Sequence, residues 1–177
     1  MRYAMAVDTA KCVGCSDCVV ACQTENDVPH GFARDWVVEV NFGTYPELKT
    51  EIRSERCNHC DNAPCVRCCP TGASKIVEGG IVLVEHDKCI GCGACITSCP
   101  YDARFSHPDG YADKCTFCEH RVKHGDDPAC VAVCPTKCLY FGDIDDPGSD
   151  VSGVIRTREY KTLIPEAGTQ PQIYFLT

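Results

Sequence analysis

The sequence predicts an α+β protein made of two small, interleaved cysteine-rich units with a β-hairpin insert and a C-terminal tail. Three observations lead to this prediction: the cysteine content, the grouping of the cysteines into runs, and the long cysteine-free segments. The chain has 177 residues and 18 cysteines, about a tenth of its composition and far above ordinary usage. Its length is sufficient for one compact domain or two small ones.

The cysteines occur in four runs of four, which together use 16 of the 18. In chain order the runs are Cys12, Cys15, Cys18 and Cys22; Cys57, Cys60, Cys65 and Cys69; Cys89, Cys92, Cys95 and Cys99; and Cys115, Cys118, Cys130 and Cys134. The remaining two, Cys68 and Cys138, lie outside the repeated spacing. We interpret them as small packing residues. A swap of Cys68 for Cys69 as the ligand is the alternative, but Pro70 favours Cys69.

Run three, CIGCGACITSCP at residues 89–100, has the spacing C-x2-C-x2-C-x3-C-P with which bacterial ferredoxins bind 4Fe-4S clusters. The first three thiolates of such a run bind one cluster, and the fourth binds a second cluster. Small residues such as Gly91 and Gly93 allow the loop to fold closely around a cluster. A proline follows the fourth cysteine in runs two, three and four, whereas run one has Gln23 there.

Because the fourth cysteine of one run binds the cluster of another, the runs must act in pairs. Residues 70–88 alone separate runs two and three, so we predict that these runs form one compact two-cluster unit, and that runs one and four form another. The predicted ligand sets of four 4Fe-4S clusters are Cys12, Cys15, Cys18 and Cys134; Cys22, Cys115, Cys118 and Cys130; Cys57, Cys60, Cys65 and Cys99; and Cys69, Cys89, Cys92 and Cys95. Pairing of run one with two and run three with four is the alternative.

This pairing divides the chain into four parts. Residues 1–22 and 101–138 form an outer ferredoxin-like unit, and residues 57–100 form an inner one. Residues 23–56 are predicted to be a β-hairpin laid over the cluster core. Residues 139–177 contain no cysteine and are too few for a domain, so this tail either wraps over the core or is held out as a docking arm.

Two segments between and after the runs show local patterns. Alternating stretches at Trp36–Phe42 and Leu48–Arg53 flank the turn GTYPE, which predicts the two strands of the hairpin. In the tail, the turn-rich FGDIDDPGSDV precedes VSGVIRTREY, which suggests one short helix, and the chain ends in a strand-like segment.

Zinc and disulfide bonds are the alternatives to iron-sulfur clusters. A zinc ribbon uses two separated C-x2-C pairs, which run four resembles but runs one and three do not. Disulfide frameworks are typical of shorter secreted chains, and no secretory or twin-arginine leader precedes the cysteines. We therefore expect clusters at all four runs.

Charge and hydropathy exclude two further classes of function. The formal net charge is −8 without a basic stripe, which disfavours nucleic-acid binding. No apolar stretch approaches the length of a membrane span, so we expect a protein that is not integral to the membrane.

No catalytic residues are recognisable in the sequence. It has no G-x-G-x-x-G and no P-loop, which disfavours a dinucleotide or nucleoside triphosphate site. A cluster with four thiolate ligands passes single electrons but has no open iron position for a substrate. We therefore predict a non-catalytic electron-transfer subunit.

The order of the runs and the motifs CPYDAR, KCTFCEHR, FGDIDDPGS and LIPEAGTQP resemble the iron-sulfur B subunits of molybdopterin oxidoreductase complexes. Within that family, the polysulfide and thiosulfate reductase type is the most similar. The resemblance extends over nearly the whole chain, and it implies the same nested pairing of the sixteen cysteines.

The resemblance also implies partners and a location. The family combines a molybdopterin-containing catalytic subunit, an iron-sulfur subunit of this kind, and a multi-span membrane anchor subunit that exchanges electrons with quinone. Such iron-sulfur subunits commonly cross the membrane bound to a catalytic subunit that has its own export signal. The resemblance thus implies a peripheral, membrane-associated subunit on the periplasmic side, with the cytoplasmic face as the other option. A soluble polyferredoxin that carries electrons between free enzymes is the alternative function.

Overall fold

The computed structural model describes residues 1–177 and contains six α-helices and ten β-strands. In chain order the helices are α1 (Asp17–Glu25), α2 (Pro64–Arg67), α3 (Ala94–Thr97), α4 (Glu119–Val122), α5 (Ala129–Val133) and α6 (Asp150–Thr157). The strands are β1 (Tyr3–Asp8), β2 (Asp35–Phe42), β3 (Lys49–Arg56), β4 (Ser74–Ile76), β5 (Val82–Val84), β6 (Phe105–Ser106), β7 (Ala112–Asp113), β8 (Leu139–Asp143), β9 (Tyr160–Lys161) and β10 (Ile173–Leu176).

The largest sheet joins the two ends of the chain. Its four strands have the order β8-β1-β10-β9, in which β1 is antiparallel to β8 and parallel to β10. The register places Met5 opposite Ile173. Helix α6 packs on this sheet, where Ala4, Val151 and Leu176 are fully buried. The sequence patterns did not indicate β1, because its partners lie far away along the chain.

The tail, residues 139–177, wraps over the core and does not project as an arm. Strand β10 lies between β1 and β9, and the side chains of Ile173 and Phe175 are each 1% exposed. The Arg158 guanidinium donates to the buried carboxylate of Asp8, with 3.3 Å between Nη2 and Oδ1. The use of this segment for docking stays a prediction.

Strands β2 and β3 pair antiparallel from Asp35 opposite Arg56 to Phe42 opposite Lys49. Only the base of this pair contacts the core, where Trp36 packs against buried residues. Residues 39–50 are exposed, so the prediction that the hairpin covers the clusters is wrong for its distal half. Near its base, Glu51 of β3 forms an ion pair with Lys161 of β9, with 2.6 Å between Oε2 and Nζ.

The helices that follow or contain the cysteines are short, and they contact one another in two pairs. Helix α1 packs against α5, which links runs one and four, and α2 packs against α3, which links runs two and three. Helices α2 and α3 have four residues each, a length that is not stable in water without tertiary contacts. None of the helices is long and apolar enough to cross a membrane.

Replacement of a buried residue of β10 tests whether the tail is part of the folded core. We expect Ile173→Ala to lower the free energy of unfolding by about 2–5 kcal/mol, because it leaves a cavity beside β1. Tyr45→Ala is the control, since this side chain is 89% exposed. Thermal unfolding of the cluster-loaded protein, followed anaerobically by circular dichroism, measures the difference. Equal unfolding midpoints for the two variants would contradict a packed tail.

Candidate iron-sulfur sites

The first candidate site lies between the loop before α1 and the end of α5. One cavity is lined by the four predicted ligands of this site, Cys12, Cys15, Cys18 and Cys134, and also by Cys138. The loop turns at Gly14, whose φ of +69° favours glycine. A Cβ atom at this position would lie too close to the side chain of Ile52. The sulfur of Cys18 lies 3.3 Å from the hydroxyl oxygen of Ser54 on β3.

The second candidate site begins one turn further along α1. Its cavity is lined by the predicted ligands Cys22, Cys115, Cys118 and Cys130, all of which are buried. Burial raises the pKa of Cys22 and of Cys130. Thiols in such a place ionise only when a cation compensates the charge, which bound iron does.

The amide of Asn26 faces two sulfurs of the second site. Its Nδ2 lies 3.7 Å from the sulfur of Cys22 and 3.7 Å from that of Cys118. The orientation of the amide is set by Arg34, whose Nη1 donates to Oδ1 of Asn26 at 3.0 Å. Arg34 is in turn held by Asp113, with 2.9 Å between Nε and Oδ2.

The third candidate site is formed by run two and the end of run three. Burial, with a contribution from the nearby thiols of Cys57, Cys65 and Cys99, raises the pKa of Cys60 to about 12. The four predicted ligands of this site therefore lie together. The guanidinium of Arg104 donates to the sulfur of Cys65, with 3.0 Å between Nη2 and Sγ.

The fourth candidate site is less enclosed. The thiol of Cys95 neighbours those of Cys89 and Cys68, and both raise its pKa after the larger effect of burial. Cys92 is exposed, on the loop between Cys89 and α3. No described contact joins Cys69 or Cys92 to the other two predicted ligands of this site.

Backbone N–H groups distinguish the more suitable cluster ligand in two pairs of neighbouring cysteines, Cys68 with Cys69 and Cys134 with Cys138. The N–H groups of Ser74 and Cys138 donate to the sulfurs of Cys69 and Cys134, at 3.4 Å each. Although burial opposes it, these bonds lower the pKa of Cys69 and of Cys134, whereas burial raises the pKa of Cys138 to about 12. Cys134 is therefore the better thiolate ligand of its pair, and Cys69 is stabilised as a thiolate in the way a ligand requires.

Two further backbone donors face predicted ligands. The N–H groups of Ala112 and Phe117 donate to the sulfurs of Cys89 and Cys115, at 3.5 and 3.4 Å. Hydrogen bonds to ligand sulfurs are one of the features that set the reduction potential of a cluster.

The spacing of the thiols suits a cluster better than a single metal ion. Four thiolates around one zinc ion would lie about 3.8 Å apart, given a zinc–sulfur distance of about 2.3 Å and tetrahedral geometry. No group of three or more His, Cys, Asp or Glu side chains is close enough to hold one ion, and no disulfide bond joins two of the cysteines. The thiols of the first two sites instead line cavities that each contain about 320 Å³ of space free of protein atoms, mouth included.

The sequence patterns missed the charged residues between the sites. Arg56, Arg104 and Lys114 are each at most 4% exposed. Arg104 ends the motif CPYDAR and Lys114 begins KCTFCEHR, so both of these buried cations lie within the motifs that carry the family resemblance. Arg56 has no such signal, because its relation to the clusters depends on the pairing of β2 with β3.

Comparison with known proteins identifies 4Fe-4S domain families and relatives that align with nearly the whole chain. The 4Fe-4S dicluster domain family matches residues 48–144, and a second 4Fe-4S dicluster domain family matches residues 11–74. The Protein NrfC homolog of Haemophilus influenzae is 47% identical over 180 residues, which cover 99% of this chain and 80% of the relative. The B subunit of tetrathionate reductase from Salmonella typhimurium is 43% identical, with 99% of this chain and 72% of the relative covered. The arsenate respiratory reductase iron-sulfur subunit ArrB of Shewanella sp. is 35% identical, with 99% and 96% covered.

The domains and the cysteine content define an iron-sulfur electron-transfer protein with four 4Fe-4S clusters. More specifically, the chain belongs to the family of iron-sulfur B subunits of molybdopterin-type reductases. The predictions of the family, of electron transfer and of four clusters are confirmed. The α+β class with two dicluster domains is confirmed as well.

Exchange of the two competing cysteines of the first site tests which one is a ligand. We expect Cys134→Ser to lose or convert one cluster, because it removes the thiolate that accepts the N–H of Cys138. Cys138→Ser is the matched control and should keep the iron and acid-labile sulfide of four clusters. Chemical analysis of anaerobically purified protein measures both. A loss of iron in the Cys138→Ser protein alone would contradict the assignment.

Removal of the Asn26 amide tests its contact with the second site. We expect Asn26→Leu to lower the reduction potential of one cluster, because hydrogen bonds to the ligand sulfurs favour the reduced, more negative state. A redox titration followed by low-temperature EPR measures the midpoint potentials. Asn41→Leu on the exposed half of β2 is the control, and it should leave all potentials unchanged. Midpoint potentials equal to those of the wild type in both variants would contradict an effect of the Asn26 amide on the cluster.

Proposed function

We propose that the sixteen cysteines of the four runs bind the clusters in the nested arrangement. The ligand sets are Cys12, Cys15, Cys18 and Cys134 for cluster A; Cys22, Cys115, Cys118 and Cys130 for cluster B; Cys57, Cys60, Cys65 and Cys99 for cluster C; and Cys69, Cys89, Cys92 and Cys95 for cluster D. The shared cavities of the first two sets and the packing of α1 on α5 and of α2 on α3 support this proposal. Two interleaved ferredoxin-like units follow from it.

The positions of the ligands favour a linear order A-B-C-D. Cys18 and Cys22 lie on one helix, which makes A and B neighbours. The thiol of Cys57 lies near that of Cys115 and contributes, after burial, to the raised pKa of Cys115, so C lies beside B. Clusters C and D are joined through run three, which provides ligands to both. A fully thiolate-ligated 4Fe-4S cluster supplies single-electron transfer.

The two ends of this array reach the surface. Only two of the cysteines, Cys15 of cluster A and Cys92 of cluster D, are exposed. An exposed apolar residue precedes each of them by two positions, Val13 at 62% and Ile90 at 67% exposure. Electron transfer between proteins requires such ends, one for the donor and one for the acceptor. A protein that only stored electrons would need a single end of the array at the surface.

We infer that one end contacts a molybdopterin-containing catalytic subunit and the other a multi-span membrane anchor subunit that exchanges electrons with quinone. The relatives are named as subunits of tetrathionate, dimethyl sulfoxide, arsenate and selenate reductases, and their alignments cover at least 99% of this chain. This alignment over the whole length is the observation that carries the proposal. The polysulfide and thiosulfate reductase type is the proposed type of complex.

The proposed location follows from the partners. The chain would be a peripheral subunit on the periplasmic side of the membrane, after export together with the catalytic subunit. A soluble polyferredoxin is not favoured, because its sequence relatives would be free carriers and not iron-sulfur subunits of reductases. Purification of the tagged chain from native membranes, with analysis for molybdenum, tests the partners. A chain that is recovered alone and redox-active from the soluble fraction would contradict the proposal.

Interruption of the array tests its role. We expect Cys95→Ala to abolish or convert cluster D and to stop quinol-dependent reduction of the substrate by native membranes. Reduction driven by a dye that donates directly to the catalytic subunit should continue. The acceptors to be compared are thiosulfate, polysulfide, tetrathionate, dimethyl sulfoxide, arsenate and selenate, each with the wild type and with Ser98→Ala as the neighbouring control. Unchanged quinol-dependent activity in Cys95→Ala would contradict transfer through this cluster.

A further inference from the structure

Arg104 is a buried cation without an acidic partner. Its side chain follows run three, and the residue is 4% exposed. Nη2 donates to the sulfur of Cys65 at 3.0 Å and to the hydroxyl oxygen of Ser74 at 2.9 Å. The other two guanidinium nitrogens, Nε and Nη1, are buried and have no hydrogen-bond partner in the protein.

A buried guanidinium remains charged, so its charge requires compensation nearby. No carboxylate provides it. The neighbouring groups that can carry a negative charge are the thiols of Cys65, Cys57 and Cys95, and Nη2 donates directly to the first of them. These three residues belong to the proposed ligand sets of clusters C and D. The two unpaired nitrogens are therefore donors that the sulfur atoms of these clusters would satisfy.

The corresponding cation of the outer unit is neutralised. Arg56 is 2% exposed and lies near Cys18, Cys115 and Cys130, which belong to clusters A and B. Directly opposite it on β2 stands Asp35, and the two form an ion pair with 3.0 Å between Nη2 and Oδ2. Clusters A and B thus face a pair without net charge, whereas clusters C and D face a full positive charge.

Lys114 is also buried, but its contacts do not assign it to one pair of clusters. Its ammonium donates to the backbone carbonyl oxygen of Cys115 at 2.7 Å and to that of Val82. The ammonium thus lies between strand β5 of the inner unit and run four of the outer unit, so its charge does not distinguish the two pairs of clusters. Arg104 is the cation whose charge does not depend on its surroundings.

We propose that Arg104 is a shared electrostatic residue of clusters C and D and keeps the reduction potentials of both above those of clusters A and B. This inference rests on the ligand sets proposed above. Reduction of a cluster adds one negative charge, and a positive charge nearby stabilises the reduced state. The ion pair of Arg56 with Asp35 has no comparable effect, because its two charges cancel at the distance of the clusters. Electrons would therefore reside preferentially in the inner unit.

Redox titration by low-temperature EPR of the purified complex tests the proposal. We expect Arg104→Gln to lower two of the four midpoint potentials by about 59 mV each. For a one-electron couple, this shift corresponds to a tenfold change in the ratio of oxidised to reduced cluster. Arg104→Lys keeps the charge and should restore both potentials toward the wild type. Arg67→Gln is the matched control, since it makes the same change at an exposed position two residues from Cys65.

A second variant tests the neutralised pair and remains informative if Arg104→Gln does not assemble its clusters. Asp35→Asn removes the negative charge from the pair with little change in shape, so Arg56 becomes an uncompensated cation. We expect the other two midpoint potentials to rise, and those lowered by Arg104→Gln to stay constant. The two variants thus shift different pairs of clusters in opposite directions.

The outcomes separate this inference from the proposed ligand sets. Unchanged potentials in Arg104→Gln and in Asp35→Asn, with the iron content of four clusters retained, would overturn the electrostatic role and leave the ligands as proposed. Equal losses in Arg104→Gln and Arg104→Lys would also overturn it, because they would indicate packing and not charge. Wild-type protein with less iron than four clusters require would instead contradict the ligand sets.

Discussion

The bonds between cysteine thiolates and iron are the constraint on which this fold depends. Eight of the twenty residues in the main buried core are cysteines, and all of these except Cys138 are proposed ligands, in places where other proteins have aliphatic side chains. The helices α2 and α3 have one turn each and would not persist without tertiary contacts. In the proposed nested arrangement, ligands from distant runs meet at one cluster, so cluster binding would be coupled to folding.

The clusters explain the unusual polar interior. Each thiolate-ligated cluster is an anion, so the surrounding protein has to offer donors and cations where a typical core offers hydrocarbon. Backbone N–H groups face Cys69, Cys89, Cys115 and Cys134. The guanidinium groups of Arg56 and Arg104 occupy the interior for the same reason. The electrostatics that make the clusters bind are also those that set where an electron resides.

The sequence was sufficient for the repeated part of the molecule and insufficient for the remainder. Ligand spacing is local, so the four runs and their clusters followed from the sequence, and the alternation in Trp36–Phe42 lies within the observed strand Asp35–Phe42. Strand β1 could not be predicted, because its partners follow about 130 and 165 residues later. The contrast between Arg56 and Arg104 was also hidden, since a charge acts through space and the sequence does not show which carboxylate stands opposite.

The central position of β1 has a consequence for biosynthesis. This strand is synthesised before both of its neighbours, and β8 begins about 130 residues later. At about 5–20 residues per second, β1 has two open edges for roughly 7–26 s. Open edges pair readily with other chains, and the thiols of run one are uncovered during the same interval. This topology therefore leaves the first strand exposed to mispairing for longer than a fold whose first strand pairs with the next one along the chain.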